Sequence, residues 1–406
     1  MASPQASVPK PAAAAAGVPV AANADDARPL IAHIVFSFDY GGLENGVVNV
    51  VNGLPESGFR HAIIALTHTT DFSKRIRRSD VAVYAVNKRA GKDPGAYLRL
   101  YKLLRQLRPD ITHTRNLATI EGALVARMAG VPHRIHGEHG WDVYDPDGTN
   151  RKYRLLRRVA STAIDRFVTV SRELETWLTT VVGIRSSKIL RICNGVDTDK
   201  FRPARGQPRT MLPADKFPPG SVVVGSVTRF SPIKDPLNLV RAFISARRDP
   251  RGAALRLVML GDGSMRADAE RELREAGQDS AAWLPGSRDD IAPLLREMDI
   301  YVLGSLREGI SNTVLESMAT GLPVVATRTG GNLELVKDNV TGRLVATANS
   351  QEMAAALLDY AADPARRAAH GAAARTRIEE EYSLRRMLTD YEALYKAHAV
   401  RYGEAA

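Results

Sequence analysis

Short, unbroken apolar runs recur along the chain and alternate with stretches whose apolar positions repeat every three or four residues. Leu30-Ile31-Ala32-His33-Ile34-Val35-Phe36 leads into a loop carrying Gly41-Gly42, then into a helical pattern over 44–54. Ser221-Val222-Val223-Val224-Gly225-Ser226-Val227 opens the second half in the same way. It leads into Arg229, a loop over 230–236 and a helix through Leu239 and Phe243. Further strands are predicted over 61–66, 82–86, 111–114, 133–138 and 166–170, and over 255–260, 282–284, 300–303 and 323–326. Runs that are apolar throughout mark strands buried on both faces, as in a parallel sheet. Strands alternating with helices predict β-α-β crossovers, hence an α/β chain of two doubly wound, Rossmann-like domains.

The pattern divides the chain into an Ala/Pro-rich tail over 1–28, a first domain over 29–205, a second over 206–383, and a closing helix within 384–406 that is placed to return to the first domain. A linker over 194–218 carries Pro203, Pro208 and Pro213. At 406 residues the chain is too long for one ordinary core, which agrees with two domains. Doubly wound sheets bind ligands beyond the carboxyl ends of their strands, so two such domains facing each other place the expected site in the cleft between them.

Composition narrows the class. The chain is 44% hydrophobic and 25% charged, ordinary for a globular protein. A single cysteine, Cys193, excludes an internal disulfide framework and fits a reducing, cytoplasmic setting. No apolar run reaches the ~20 residues that span a bilayer. Lys10 and the Ala-rich run ending at Ala22-Asn23-Ala24 loosely resemble a signal peptide, but Pro11, Pro19 and the lack of Leu, Ile or Phe favour a flexible tail.

The net charge of +11 is concentrated in the first half, at Lys74-Arg75-Ile76-Arg77-Arg78 and over 151–158. In a helix over 96–108, Arg99, Lys102, Arg105 and Arg108 fall along one side, and Leu100, Leu103, Leu104 and Leu107 along another. Such a face is either simply solvated or rests on anionic lipid at the inner surface of the membrane. Without zinc-finger spacing or an aromatic RNA-binding signature, no nucleic-acid partner is expected.

The densest chemistry lies in Arg307-Glu308-Gly309-Ile310-Ser311-Asn312-Thr313-Val314-Leu315-Glu316. Ser311, Asn312 and Thr313 offer a helix N-cap, whose free N–H groups face an anion. Glu308 and Glu316 share a side only if the residues between them are partly loop. By pattern alone, a nucleotide site and a capped helix with a solvated acidic pair are equally good readings. Arg229 and Lys234, after the first strand of this half, flank a Ser231-Pro232 turn and suit a diphosphate. Gly41-Gly42 lets backbone approach a phosphate or sugar closely. His139, just past a strand, is placed to face a ligand, whereas His133 and His136 read as ordinary strand histidines. No residues at metal-ligand spacing accompany them, so no metal is expected. Asp145-Pro146-Asp147-Gly148 reads as a turn, and Gly261-Asp262-Gly263 as an incomplete dinucleotide fingerprint.

In order along the chain, Gly41-Gly42-Leu43-Glu44, His139-Gly140, Val170-Ser171, Asn194-Gly195-Val196-Asp197, Arg229 with Lys234, Gly286, Glu308 to Glu316, Gly330-Gly331 and Glu334 resemble glycosyltransferase family 4. Gly41 to Gly46 and His136 to Asp142 further resemble the sugar transferases of PEP-CTERM and exosortase exopolysaccharide loci. The resemblance implies the GT-B fold and metal-free transfer from a nucleoside-diphosphate sugar, with retention of anomeric configuration. The acceptor would be a glycan or a polyprenyl-diphosphate-linked saccharide, and no cofactor is implied.

On the same resemblance, Arg229 and Lys234 hold the diphosphate and Glu316 the ribose. Glu308, Gly309, Ile310, Ser311, Asn312 and Thr313 hold the donor sugar, with Gly41, Gly42 and Gly286 contributing to the donor pocket. His139 lies at the sugar and acceptor side. Catalysis would be front-face displacement, assigned to His139, Glu308, Arg229 and Lys234. Thr228-Arg229-Phe230 departs from the family's usual Gly-Arg-Leu. A non-hydrolysing nucleotide-sugar epimerase and a non-catalytic sugar-nucleotide-binding protein remain as alternatives.

Overall fold

The computed structural model describes residues 26–142, 145, 147–204, 206 and 208–399. The Ala/Pro-rich tail lies outside the described residues up to position 25, as does the end of the last segment from 400 onward. Two compact units result. The first contains 26–137, 159–166 and 395–399 of the described residues, and the second contains 138–158 and 167–394.

The strands of the first unit are β1 (Leu30–Val35), β2 (Arg60–Ala65), β3 (Ala82–Ala85), β4 (Ile111–Arg115) and β5 (His133–Glu138). They run in the order β3-β2-β1-β4-β5, each printed pair parallel. Every residue of β1 and β2 is buried, which is why their sequences show no alternation. On one face Ala32, Ile34, Ala62 and Ile64 pack with Leu100, Leu104 and Leu107 of the helix Pro94–Leu107. On the other, Val35 and Ile63 pack with Val47 and Val51 of the helix Gly42–Gly53.

Asp93 caps the helix Pro94–Leu107 through the Ala96 N–H, and Arg108 ends it in the left-handed region. Of the four cations expected along one side of this helix, Arg99 is diverted: it donates to the Val86 and Asn87 carbonyls and to Asp93. Lys102, Arg105 and Arg108 are exposed.

A polar row crosses the middle of this sheet. His33, His61 and His113 are wholly buried, His33 lying opposite His113 in register. His33 Nε2 is 3.0 Å from His61 Nδ1, and Arg115 reaches His33 Nδ1 at 3.2 Å. Tyr395, from the last helix Leu384–Ala399, places its hydroxyl 2.8 Å from His113 Nδ1. Burial, reinforced by the Arg115 charge, pulls the His33 pKa well below its ordinary value, and burial lowers that of His61 as well, so these two are held neutral.

The second unit contains β6 (Arg166–Thr169, from Phe167 on) paired in parallel with β7 (Ile189–Arg191). Its larger sheet is built from β8 (Val222–Val227), β9 (Leu255–Leu260), β10 (Ala282–Gly286), β11 (Ile300–Leu303), β12 (Val324–Thr327) and β13 (Gly342–Val345). The order is β10-β9-β8-β11-β12-β13, all parallel. Chain direction across the sheet reverses between β8 and β11, a topological switch point where an open α/β sheet leaves a crevice. β7 and β13 have no counterpart among the predicted strands. The first is only half-buried and the second opens on Gly342-Arg343, so neither reads as an apolar run.

Candidate active site

Two loops leave the sheet at this switch point, after β8 and after β11. Phe230, wholly buried, anchors the first, while Arg229 beside it is exposed. The loop rests on Gly261-Asp262-Gly263. Phe230 donates its N–H to the Asp262 carbonyl at 2.9 Å, and Met265 donates to Phe230 at 3.0 Å. Gly261 (φ +132°) and Gly263 (φ +150°) allow this approach, since a side chain on either would strike the Thr228 or Phe230 carbonyl. The incomplete dinucleotide fingerprint is thus a floor beneath Arg229. Gly286, at the end of β10 with φ +87°, accepts the Gly261 N–H at 2.9 Å and so joins this floor.

Lys234 ends the short turn Pro232–Lys234 and donates to Glu308 Oε1. The same oxygen accepts from Ser305 Oγ at 2.6 Å, so two donors from two loops aim the Glu308 carboxylate. Asp235, next to Lys234, is held at φ +43° immediately before the helix Pro236–Arg247.

Residues 304–311 form a loop, and the helix Asn312–Ala319 starts with Ser311 as N-cap, its Oγ accepting the Val314 N–H. Thr313 is hydrogen-bonded to the wholly buried Tyr301 hydroxyl at 2.7 Å, and Asn312 Oδ1 accepts from Asn194 at 3.0 Å. Ile310 is buried. Gly330 and Gly331 lie on the backbone of Glu308 and Gly309, where a Cβ would drive into the two carbonyls. On its other side Gly309 meets the His139 segment: a Cβ there would sit 3.1 Å from the His139 oxygen and from Gly140 Cα. Glu316, one helical turn inside, is half-buried, and its carboxylate accepts no hydrogen bond from the described residues. Burial pushes its carboxyl up to about 7, opposed by the charge of Lys200.

The His139 segment is braced from behind. Glu138 and Arg157, 1% and 3% exposed, form a two-point ion pair at 2.6 and 3.3 Å. The Arg157 guanidinium lies 4.8 Å over the Trp177 ring, and Trp177 meets Trp141 edge-on at 5.3 Å. Asp147 pairs with Arg307, and Asp145 accepts the Asn150 N–H at 3.0 Å, so both are engaged in turn and ion-pair contacts. Glu334 accepts from the Arg172 N–H at 2.5 Å and from Arg191 at 3.5 Å.

The structure therefore brings His139, Lys234, Glu308, Gly309 and the start of the helix Asn312–Ala319 together, with Arg229 and Gly286 on the adjoining floor. Gly41 and Gly42 open the helix Gly42–Gly53 in the first unit, where the Glu44 carboxylate folds back towards Gly41. His136 is buried against Thr114 at 2.8 Å, and His133 sits edge-on to His398. Sequence reasoning did not assign roles to Ser305, Tyr301, Gly261 or Gly263; the contacts of the last three with Val227, Thr228 and Phe230 join segments far apart in the chain.

Comparison with known proteins settles the family. Residues 221–363 match the profile of Glycosyl transferases group 1, and residues 40–200 that of Glycosyltransferase Family 4. The UDP-Gal:alpha-D-GlcNAc-diphosphoundecaprenol alpha-1,3-galactosyltransferase of Escherichia coli is 32% identical over 266 residues, 63% of this chain and 67% of that protein. The chain belongs to glycosyltransferase family 4.

The family 4 transferase is also 30% identical to the D-inositol 3-phosphate glycosyltransferase of Kribbella flavida over 283 residues, 65% of this chain and 66% of the relative. A glycosyltransferase structure from Rickettsia africae superposes with a TM-score of 0.78 at 22% identity, covering 92% and 99% of the two chains. Anabaena Alr3699/HepE in complex with UDP superposes at 0.75 with 18% identity, covering 91% and 100%. The transferase thus has the GT-B fold, with two Rossmann-like halves.

Proposed function

We propose that this glycosyltransferase is a retaining, metal-independent enzyme. It moves a hexosyl group from a nucleoside-diphosphate sugar to a saccharide or lipid-linked saccharide in exopolysaccharide or cell-surface glycan synthesis. The observation that carries the reading is the pairing of Lys234 with Glu308 at the sheet's switch point, with Glu316 left partnerless on the adjoining helix. A half-buried carboxylate without a partner is costly unless a ligand supplies hydroxyl groups, and a ribose diol does so. The names of the E. coli galactosyltransferase and the UDP-bound Anabaena structures support the same class of donor, and the former an acceptor carried on a lipid diphosphate.

In this reading Arg229 and Lys234 neutralise the diphosphate and stabilise it as a leaving group. Glu308 and the N–H groups from Gly309 to Thr313 orient the donor sugar, with Gly286, Gly41 and Gly42 allowing close backbone approach. His139, touching Gly309, lies beside the anomeric carbon. The acceptor oxygen bonds to that carbon on the face from which the phosphate oxygen departs, and the acceptor proton passes to the departing phosphate. No protein carboxylate forms a covalent sugar intermediate.

A hold on anionic membrane at the cytoplasmic face belongs to the same proposal. It is supported by exposed Lys102, Arg105 and Arg108, and by exposed Leu155 on a helix with exposed Arg151, Lys152 and Arg158.

The test is a panel of nucleotide sugars, scored by thermal stabilisation and by transfer to a short-chain alkyl diphospho-N-acetylglucosamine. One donor should stabilise the protein and yield a product with the donor's anomeric configuration in the presence of a chelator. An inverted product or a chelator-abolished reaction sinks the mechanism. An epimer formed from donor alone favours the epimerase instead.

A further inference from the structure

Trp141 and Glu173 come from distant parts of the chain, yet the Trp141 indole lies close enough to the Glu173 carboxylate to favour its charged form. Neither belongs to the donor loops. Trp141 is two residues beyond His139 and half-buried; one edge of its ring is covered by Gly148 and it meets Trp177 edge-on. Gly148 stands at φ +64°, and a side chain there would run into both rings, so the pair of tryptophans is closely fitted.

Glu173 is exposed and starts a short helix capped by Ser171. An acid at this position is commonly no more than a partner for the helix N-terminus. Here its carboxylate turns aside. Its Oε2 would lie 3.4 Å from a Cβ on Gly330, the glycine that rests on the Glu308 carbonyl. Glu173 therefore reaches the loop that carries Glu308, from the side occupied by Trp141. Partial burial pushes its carboxyl up from the ordinary range, the negative charge of Glu334 adds to that, and the positive charge of Arg307 opposes it.

An aromatic face beside a fixed carboxylate is the chemistry that binds a sugar ring. The C–H face of the ring lies on the indole, and neighbouring hydroxyls donate to the carboxylate, which accepts several hydrogen bonds at once. The indole favours the charged form of Glu173, whose exposed carboxylate keeps lone pairs for a ligand. We propose that Trp141 and Glu173 form the subsite that holds the accepting sugar ring next to Glu308 and His139. This rests on the donor reading above, because the subsite lies against the loop to which the donor sugar is assigned.

The test is ligand-observed NMR titration of the full chain with UDP and then, at saturating UDP, with the methyl glycosides of glucose, galactose, mannose and N-acetylglucosamine. At least one glycoside should bind the parent saturably. Its affinity should fall about tenfold or more in Glu173→Ala and Trp141→Ala, and by a smaller factor in Glu173→Gln and Trp141→Phe, which keep an acceptor oxygen and a ring. UDP affinity should be unchanged in all four variants, which also shows that they fold. If no glycoside binds the UDP-loaded parent, or Glu173→Ala binds as the parent does, the subsite is overturned while the donor reading stands. If UDP itself fails to bind the parent, the donor reading falls and the subsite with it.

Discussion

Lys234 is bound to Glu308, on the same carboxylate oxygen that accepts from Ser305. This pairing fixes the acid of the loop proposed to hold the donor, and it leaves Lys234 with N–H groups to spare for a phosphate. Lys234→Ala should therefore act twice, removing a charge from the diphosphate and releasing Glu308. Transfer should fall at least about tenfold, roughly 1.4 kcal/mol of transition-state stabilisation. Ser305→Ala removes only one of the two hydrogen bonds and should cost less. Initial rates at saturating donor check the order, and equal rates in Lys234→Ala and parent would refute the assignment.

Glu316 makes stability depend on pH. Its carboxyl titrates at about 7 in the folded protein, against an ordinary value of 4.5. The folded state therefore binds a proton more tightly than the unfolded one, and ionising Glu316 costs stability. That cost is absent below about pH 4.5, grows as pH rises through 4.5 to 7, and is complete above. Glu316→Gln should melt higher than the parent at pH 8, with the difference vanishing towards pH 4.5. The same variant should lose at least about tenfold in transfer if the carboxylate holds the ribose. Melting curves across pH and one rate measurement separate the two effects.

Much of this site could be read in the chain because its parts are local. Ser311 is an N-cap, so residues 308–311 are loop, which places Glu308 ahead of the helix and Glu316 one turn inside it. The strands around it are apolar throughout because both faces are covered, whereas β7 and β13 are short, part-exposed or charged and give no such signal. Contacts set by strand register were hidden. His33, His61 and His113 form the polar row of the first unit, which no local spacing signals. Arg99 also lies at the right spacing for a basic stripe but is consumed by the 86–93 loop. The use of Gly261 and Gly263 depends on Thr228 and Phe230, more than thirty residues earlier, so the local string Gly-Asp-Gly points to the wrong chemistry.

Gly331 supports a sharper test of how the donor loop is held. It lies against the Gly309 carbonyl, and a methyl group there forces the two segments apart. Overpacking of this kind costs about 1–3 kcal/mol. Because the strain falls on the loop carrying Glu308 to Ser311, Gly331→Ala should lose transfer at least about tenfold. Glycine at the exposed position 220, where a Cβ meets nothing within 4 Å but φ is +84°, provides a control for backbone strain alone. Gly220→Ala should lower the melting temperature without a comparable loss of rate.

Behind His139, the Glu138–Arg157 pair separates stability from aim. Both side chains are buried, so Arg157→Met leaves a carboxylate without its counter-ion in a low-dielectric setting. Removing one partner of such a pair costs about 3–5 kcal/mol, which should appear as a melting temperature lower by at least about 5 °C. Replacing both, as Glu138→Leu with Arg157→Met, removes the stranded charge and should recover most of that loss. Transfer should not recover with it, since the pair also sets the direction of the strand end that presents His139 to Gly309. A double variant as stable as the parent but still slow assigns the pair to positioning. One that regains both stability and rate reduces it to a packing contact.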